Sequence, residues 1–232
     1  MREIRSANRD RQRAKLVESP AGRNEGPTVA GTGLLLGLAQ TASLYFDPWH
    51  HSQVAIYQAT LSAHARFGAA PCSRPKAAAH VTGRVIVACA LGATVEGASI
   101  TRCAEAGRDV WIGETSYISA LDYRGATARQ DPSLAMRSAA CKLAGFLGEQ
   151  FAGLGHPSSS IAERCIALRY CQAISDIGDA SLEQVIAEIC GFCLAAFERN
   201  RMAFDAVRDR LYQRLHLTKA EADRMLAGVC AP

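Results

Sequence analysis

The sequence predicts an all-α fold: an irregular multi-helix globular domain over residues 34–232, preceded by a disordered basic tail over residues 1–33. Three observations predict it. Ala, Leu and Arg are plentiful, while Val, Ile, Tyr and Thr are too scattered to build many strands. Three capping boxes stand in the second half, Ser160 with Glu163, Ser181 with Gln184 and Thr218 with Glu221. Apolar residues there recur at spacings of three and four, the period of a helix with one buried face.

A chain of 232 residues, 49% apolar and 21% charged, is long enough to bury a sizeable core. Residues 1–33 stand apart. They hold seven Arg/Lys and four Asp/Glu, few large apolar residues, and a glycine- and proline-rich end. Such a segment cannot bury enough surface to offset its ordering entropy, so a solvated tail is favoured over an electrostatic arm or a secretion leader.

From Leu34 the helical pattern begins. A short helix is expected over Leu34–Phe46, ending before Asp47-Pro48. Ser52 then caps a helix whose Val54, Tyr57, Leu61 and Ala65 share one face, stopping at Gly68. Ser73 and Pro75 open the next, through Val81, Val85 and Cys89. The apolar, β-branched run Val85–Val95 also suits a buried strand. A short helix is expected around Ser99–Ala106, stopped by Gly107. Another follows over Asp109–Tyr123, stopped by Gly125, with Trp111, Ile118 and Leu121 on its buried face.

The second half is patterned more strongly. Asp131-Pro132 starts a helix, the acid capping and the proline at the first position. Met136, Ala140, Leu143, Leu147, Phe151 and Leu154 then repeat on one face up to Gly153/Gly155. After Ser181 comes the best stripe in the chain: Leu182, Val185, Ile186, Ile189, Cys193 and Phe197. A further helix carries Phe204, Val207, Leu211 and Leu215, and a last one follows Thr218.

Nine cysteines, an odd number spread through a large chain, do not resemble a disulfide framework and point to a reducing, cytoplasmic compartment. No secretory leader or membrane anchor is expected, because the uncharged stretch Gly26–Phe46 is broken by Pro27 and several polar residues. Catalytic patterns are weak. Gly31, Gly33 and Gly37 lack the GK[ST] of a phosphate loop. Cys190-x-x-Cys193 lies along an apolar helix face, where core packing outweighs metal or redox use. Neither a cofactor nor a metal is expected.

Two segments are candidates for contact with partners. Trp49, His50 and His51 form a turn beside Asp47, with His64 one helix later. That group suits metal or acid–base chemistry, but a docking corner suits it better. Arg208, Arg210 and Arg214 lie in a basic segment around His216–Thr218 that passes for a helix-turn-helix. Interleaved acids favour a salt-bridged amphipathic face over a duplex-DNA footprint, and the net charge of +4 is mild. Three functional classes therefore stand: a protein-binding module, as the alternative a helical DNA-binding regulator, and third a small enzyme or metal protein using His50 and His51 or Cys190 and Cys193.

Three patches resemble the sorting-platform accessory proteins of type III secretion systems, the SctK/OrgA group with its rhizobial, NolU-like branch. The first is Phe46-Asp47-Pro48 with His51-Ser52. The second is Leu91-Gly92-Ala93, then Ile100-Thr101-Arg102, Gly107 and Val110. The third is Gly191 and Leu194, then Arg208, Leu211, Arg214 and Leu215. The resemblance implies a cytoplasmic adaptor without enzymatic activity. It would link the inner-membrane ring of the secretion apparatus to the pods that organise the export ATPase, and in the rhizobial branch it would influence nodulation host range. Its partners would be other secretion components, with no membrane insertion, although the complex is peripheral to a membrane.

Overall fold

The computed structural model describes residues 53–105, 108–118 and 131–232. The tail, the helix expected at Leu34–Phe46 and the Ser52 cap lie outside the described residues. Among those described are α1 (Gln53–Phe67), α2 (Arg74–Ala90), β1 (Thr94–Glu105), β2 (Arg108–Ile118) and α3 (Pro132–Phe151). They continue with α4 (Ile161–Ser175), α5 (Leu182–Arg199), α6 (Arg201–Arg214), β3 (His216–Thr218) and α7 (Lys219–Met225).

The all-α expectation is corrected by a three-stranded antiparallel sheet in the order β2-β1-β3. The helices expected at Ser99–Ala106 and from Asp109 are the two arms of a hairpin, paired from Thr94↔Ile118 to Glu105↔Arg108. β2 alternates cleanly: Trp111, Gly113, Thr115 and Tyr117 are half-buried, while Ile112, Glu114 and Ser116 are exposed. That period of two, with β-branched and aromatic residues, is the strand signal that a helical reading overrides. β1 hides its signal, because a bulge between Val95 and Gly97 shifts the phase. Val95 is buried before it, and Ala98 and Ile100 after it. The run Val85–Val95 is helix to Ala90 and strand from Thr94.

The break at His216–Thr218 is likewise a strand. β3 pairs Gly97↔Thr218, Ala98↔Leu217 and Ser99↔His216, so α6 and α7 are joined through the sheet and not by a helix-turn-helix corner. Leu215 does not extend the α6 stripe. It caps that helix in the left-handed region (φ 67°), while Phe204, Val207 and Leu211 are buried.

α2 is the centre of the molecule. It is buried from Lys76 to Ala79, from Val81 to Gly83 and from Val85 to Ala88. A helix apolar nearly all round belongs inside a core. It packs against both long strands and against α3, α5 and α6. α3 starts as expected, with the Asp131 carboxylate accepting from Leu134 N at 2.8 Å. The α5 stripe is buried from Val185 to Phe197, and Phe151, Phe197 and Phe204 meet with ring centroids 4.9–5.4 Å apart. The face expected to be buried on α1 is the wrong one: Tyr57 is 62% and Leu61 49% exposed, and Ala59 and Ala63 face the core instead. Small residues let α1 lie close against α4.

Candidate functional site

The capping boxes at Ser181 and Thr218 form as expected. The one at Ser160 does not. Ser160 takes a left-handed conformation (φ 55°) and its hydroxyl caps nothing on α4. It donates instead to Glu149 Oε1 at 2.9 Å, and Glu163 turns to a histidine and an arginine on α2. Both residues are drawn into a buried ionic cluster that no sequence motif announces.

α2 supplies Lys76, His80 and Arg84, four residues apart and therefore on one face. α3 supplies Glu149, only 2% exposed, and α4 supplies Glu163 and Arg164. His80 is clamped at both ends: Nδ1 lies 2.8 Å from Glu149 Oε1, and Nε2 lies 3.0 Å from Glu163 Oε2. The second contact is an ion pair whose angle departs from a good hydrogen bond. Lys76 Nζ stands 3.7 Å from Glu149 Oε2, and Arg84 3.3 Å from Glu163 Oε1. The Arg164 guanidinium is fully buried over the Phe146 ring at 4.3 Å and donates to the Pro157 carbonyl.

The approach of the helices makes the clamp possible. Gly145 lets the His80 ring lie against α3, since a Cβ there would collide with the imidazole. Gly83 and Gly148 bring the two backbones together alongside.

Burial pulls the His80 imidazolium towards neutrality, but the bonds to Glu149 and Glu163, and their charge, outweigh it and hold the pKa at about 9. Burial raises Glu163, and the His80 and Arg84 cations more than reverse that, leaving it below its usual value. Burial lowers Arg164 to about 10, so it remains charged at neutral pH. With both ring nitrogens protonated, the imidazolium has no lone pair with which to deprotonate Ser160, 3.3 Å away. The arrangement is a positioning device for three helices.

Because the folded pKa of His80 exceeds the ordinary 6.5, its stabilisation is complete below pH 6.5 and is lost as pH rises towards 9. Urea unfolding from pH 6 to pH 8.5 should therefore show a decline approaching about 1.4 kcal/mol per pH unit at the steepest point. His80→Gln should flatten that decline. An unchanged slope in the variant removes His80 as its source.

The other expected sites fall elsewhere. Trp49, His50 and His51 lie outside the described residues; His64 is on α1, half-buried. Cys190 and Cys193 are buried in the core, burial raising Cys190 to about 12 and Cys193 well above the usual thiol value. Cys193 Sγ donates to the Ala140 carbonyl at 3.7 Å. Among the described residues no cluster of His, Cys, Asp or Glu could hold a metal ion, and no helix is long and apolar enough to cross a membrane.

Two of the three expected C-terminal arginines are paired with carboxylates. Arg208 pairs with Asp205 at 3.1 Å and Asp209 at 3.2 Å, and Arg210 pairs with Glu221. Arg214 is exposed in the last turn of α6. Arg208 also lines a groove of about 260 Å³, with Pro75, Ala78, Ala152, Leu154, Asp209 and Tyr212. Beside it the Arg74 guanidinium is sandwiched between Trp111 (5.4 Å) and Tyr212 (4.9 Å). Sequence reasoning reaches Arg208 but not Arg74 or Tyr212, which come from elements remote in the chain. Against known proteins, the chain matches no protein-family model and no curated protein.

Proposed function

We propose that this chain is a non-catalytic, cytoplasmic adaptor of a type III protein secretion apparatus, linking the inner-membrane ring to the cytosolic sorting platform. The observation that supports a binding role best is the groove beside Arg74. It joins exposed Tyr212 and Leu154 to half-buried Arg74 and Arg208, and tyrosine and arginine are among the residues enriched in protein-binding hot spots. The resemblance at Phe46–Ser52, Leu91–Val110 and Gly191–Leu215 supplies the identity of the apparatus, and with it an effect on nodulation host range. The DNA-binding alternative asks for an uncompensated basic stripe, and Arg208 and Arg210 are both held by carboxylates.

Cross-linking in the native host followed by affinity purification tests the proposal. Recovery of membrane-ring and export-ATPase-associated proteins is the expected result, and alanine at Trp49 and His50 should weaken that recovery without unfolding the protein. Recovery of no secretion component while the apparatus is being made overturns the adaptor. Affinity for duplex DNA that falls steeply with salt would put the alternative in its place.

A further inference from the structure

The groove has a chemistry narrower than "protein". Its volume of about 260 Å³ lies below the roughly 300–1,000 Å³ of small-molecule sites, so it suits one or two side chains and no cofactor. The floor is Ala78 and the walls are Pro75, Ala152, Leu154 and Tyr212; Tyr212 is 46% and Leu154 36% exposed. The two charged lining residues, Arg208 and Asp209, already satisfy each other at 3.2 Å. The cavity itself therefore calls for an apolar occupant.

The rim calls for a negative charge. Arg201, Arg208 and Arg210 each pair with a carboxylate, whereas no carboxylate among the described residues pairs with Arg74. Its guanidinium is fixed by two aromatic faces and by a 3.4 Å bond to the Gln213 carbonyl. Trp111 is itself pinned, its backbone N–H donating to the Cys72 carbonyl at 2.9 Å. An arginine so held loses little freedom on binding a carboxylate. Arg74 also opens α2, whose first turn holds no acidic residue and whose Ser73 side chain caps no N–H, so the helix dipole adds to the positive potential.

We infer that this groove receives an apolar side chain from an acidic segment of a partner protein, with a neighbouring Asp or Glu of that segment bound by Arg74. The inference rests on the adaptor reading and specifies the partner's chemistry.

The test places a benzophenone amino acid in the full-length chain in its native host, as Leu154→p-benzoyl-phenylalanine, leaving the Arg74 sandwich intact. Irradiation and mass spectrometry then identify the segment cross-linked. A segment with an apolar residue next to Asp or Glu is expected. Arg74→Glu should lower the yield about tenfold or more, and Arg74→Lys, which keeps charge but loses stacking, by less. Thermal melts of each variant establish that it is folded. Cross-links to a second copy of this chain, to lipid, to nucleic acid or to a basic segment overturn the inference, as does a yield indifferent to Arg74→Glu. An absent cross-link while secretion components still co-purify removes the groove and leaves the adaptor standing. Loss of both removes both.

Discussion

Replacing Glu149 with alanine should remove about 3–5 kcal/mol of folding stability, the cost of leaving buried charges without their partner. Glu149 alone meets Lys76, His80 and Ser160, at 3.7, 2.8 and 2.9 Å. Among the described residues the cations Lys76, His80, Arg84 and Arg164 face two carboxylates, Glu149 and Glu163. Without Glu149, Lys76 loses its only ion-pair partner among the described residues, at a position 5% exposed. His80 would keep Glu163 but lose one of the two carboxylates that offset its burial.

Urea unfolding of the variant measures the loss, and a double variant separates its sources. Lys76→Met in the Glu149→Ala background should restore part of the stability, because it removes a stranded charge and keeps the apolar stem. Non-additivity of roughly 1–3 kcal/mol between the two changes is the expected coupling. A loss below about 1 kcal/mol for Glu149→Ala would mean that water reaches the cluster and solvates its charges, as it does for exposed pairs.

The cluster also shows why some parts of this fold are legible in the sequence and others are not. What is local is legible. The α5 stripe, the Asp131 cap and the boxes at Ser181 and Thr218 each depend on residues within a few positions of one another. Ser160 and Glu163 have the same spacing, yet tertiary partners outcompete the local bond: one residue turns to Glu149, the other to His80 and Arg84. The hairpin passes for helix because Ala, Gly and Ser dilute β1 and a bulge breaks its alternation. β2 does carry a strand pattern in Val110, Trp111, Thr115 and Tyr117. For the site, Lys76, His80 and Arg84 at four-residue spacing are a readable hint, since three basic residues on one face of an otherwise apolar helix require acidic partners. Which acids answer them is set by the packing of α3 and α4, and no spacing in the chain encodes it.

That packing yields the second large effect. Gly83→Ala should destabilise the protein by about 3 kcal/mol, the upper range for overfilling a tight core. A Cβ at Gly83 would overlap the Ala144 carbonyl oxygen and stand 3.0 Å from Gly148 Cα. Both are backbone atoms and cannot rotate away, so α2 and α3 must separate. Separation would draw His80 off Gly145 and away from Glu149, so the imidazole pKa, followed by NMR titration, should fall towards its ordinary value along with stability. Gly191→Ala supplies the control with the same chemistry and the opposite sign. Gly191 lies inside α5, and a methyl group there would meet nothing within 4 Å, so alanine should stabilise by about 0.5–1 kcal/mol through helix propensity. If both substitutions stabilised the protein, propensity alone would govern these helices and the close approach of α2 and α3 would be refuted. Opposite signs, with the His80 pKa moving only in Gly83→Ala, would tie the ionic clamp to the glycine contact beneath it.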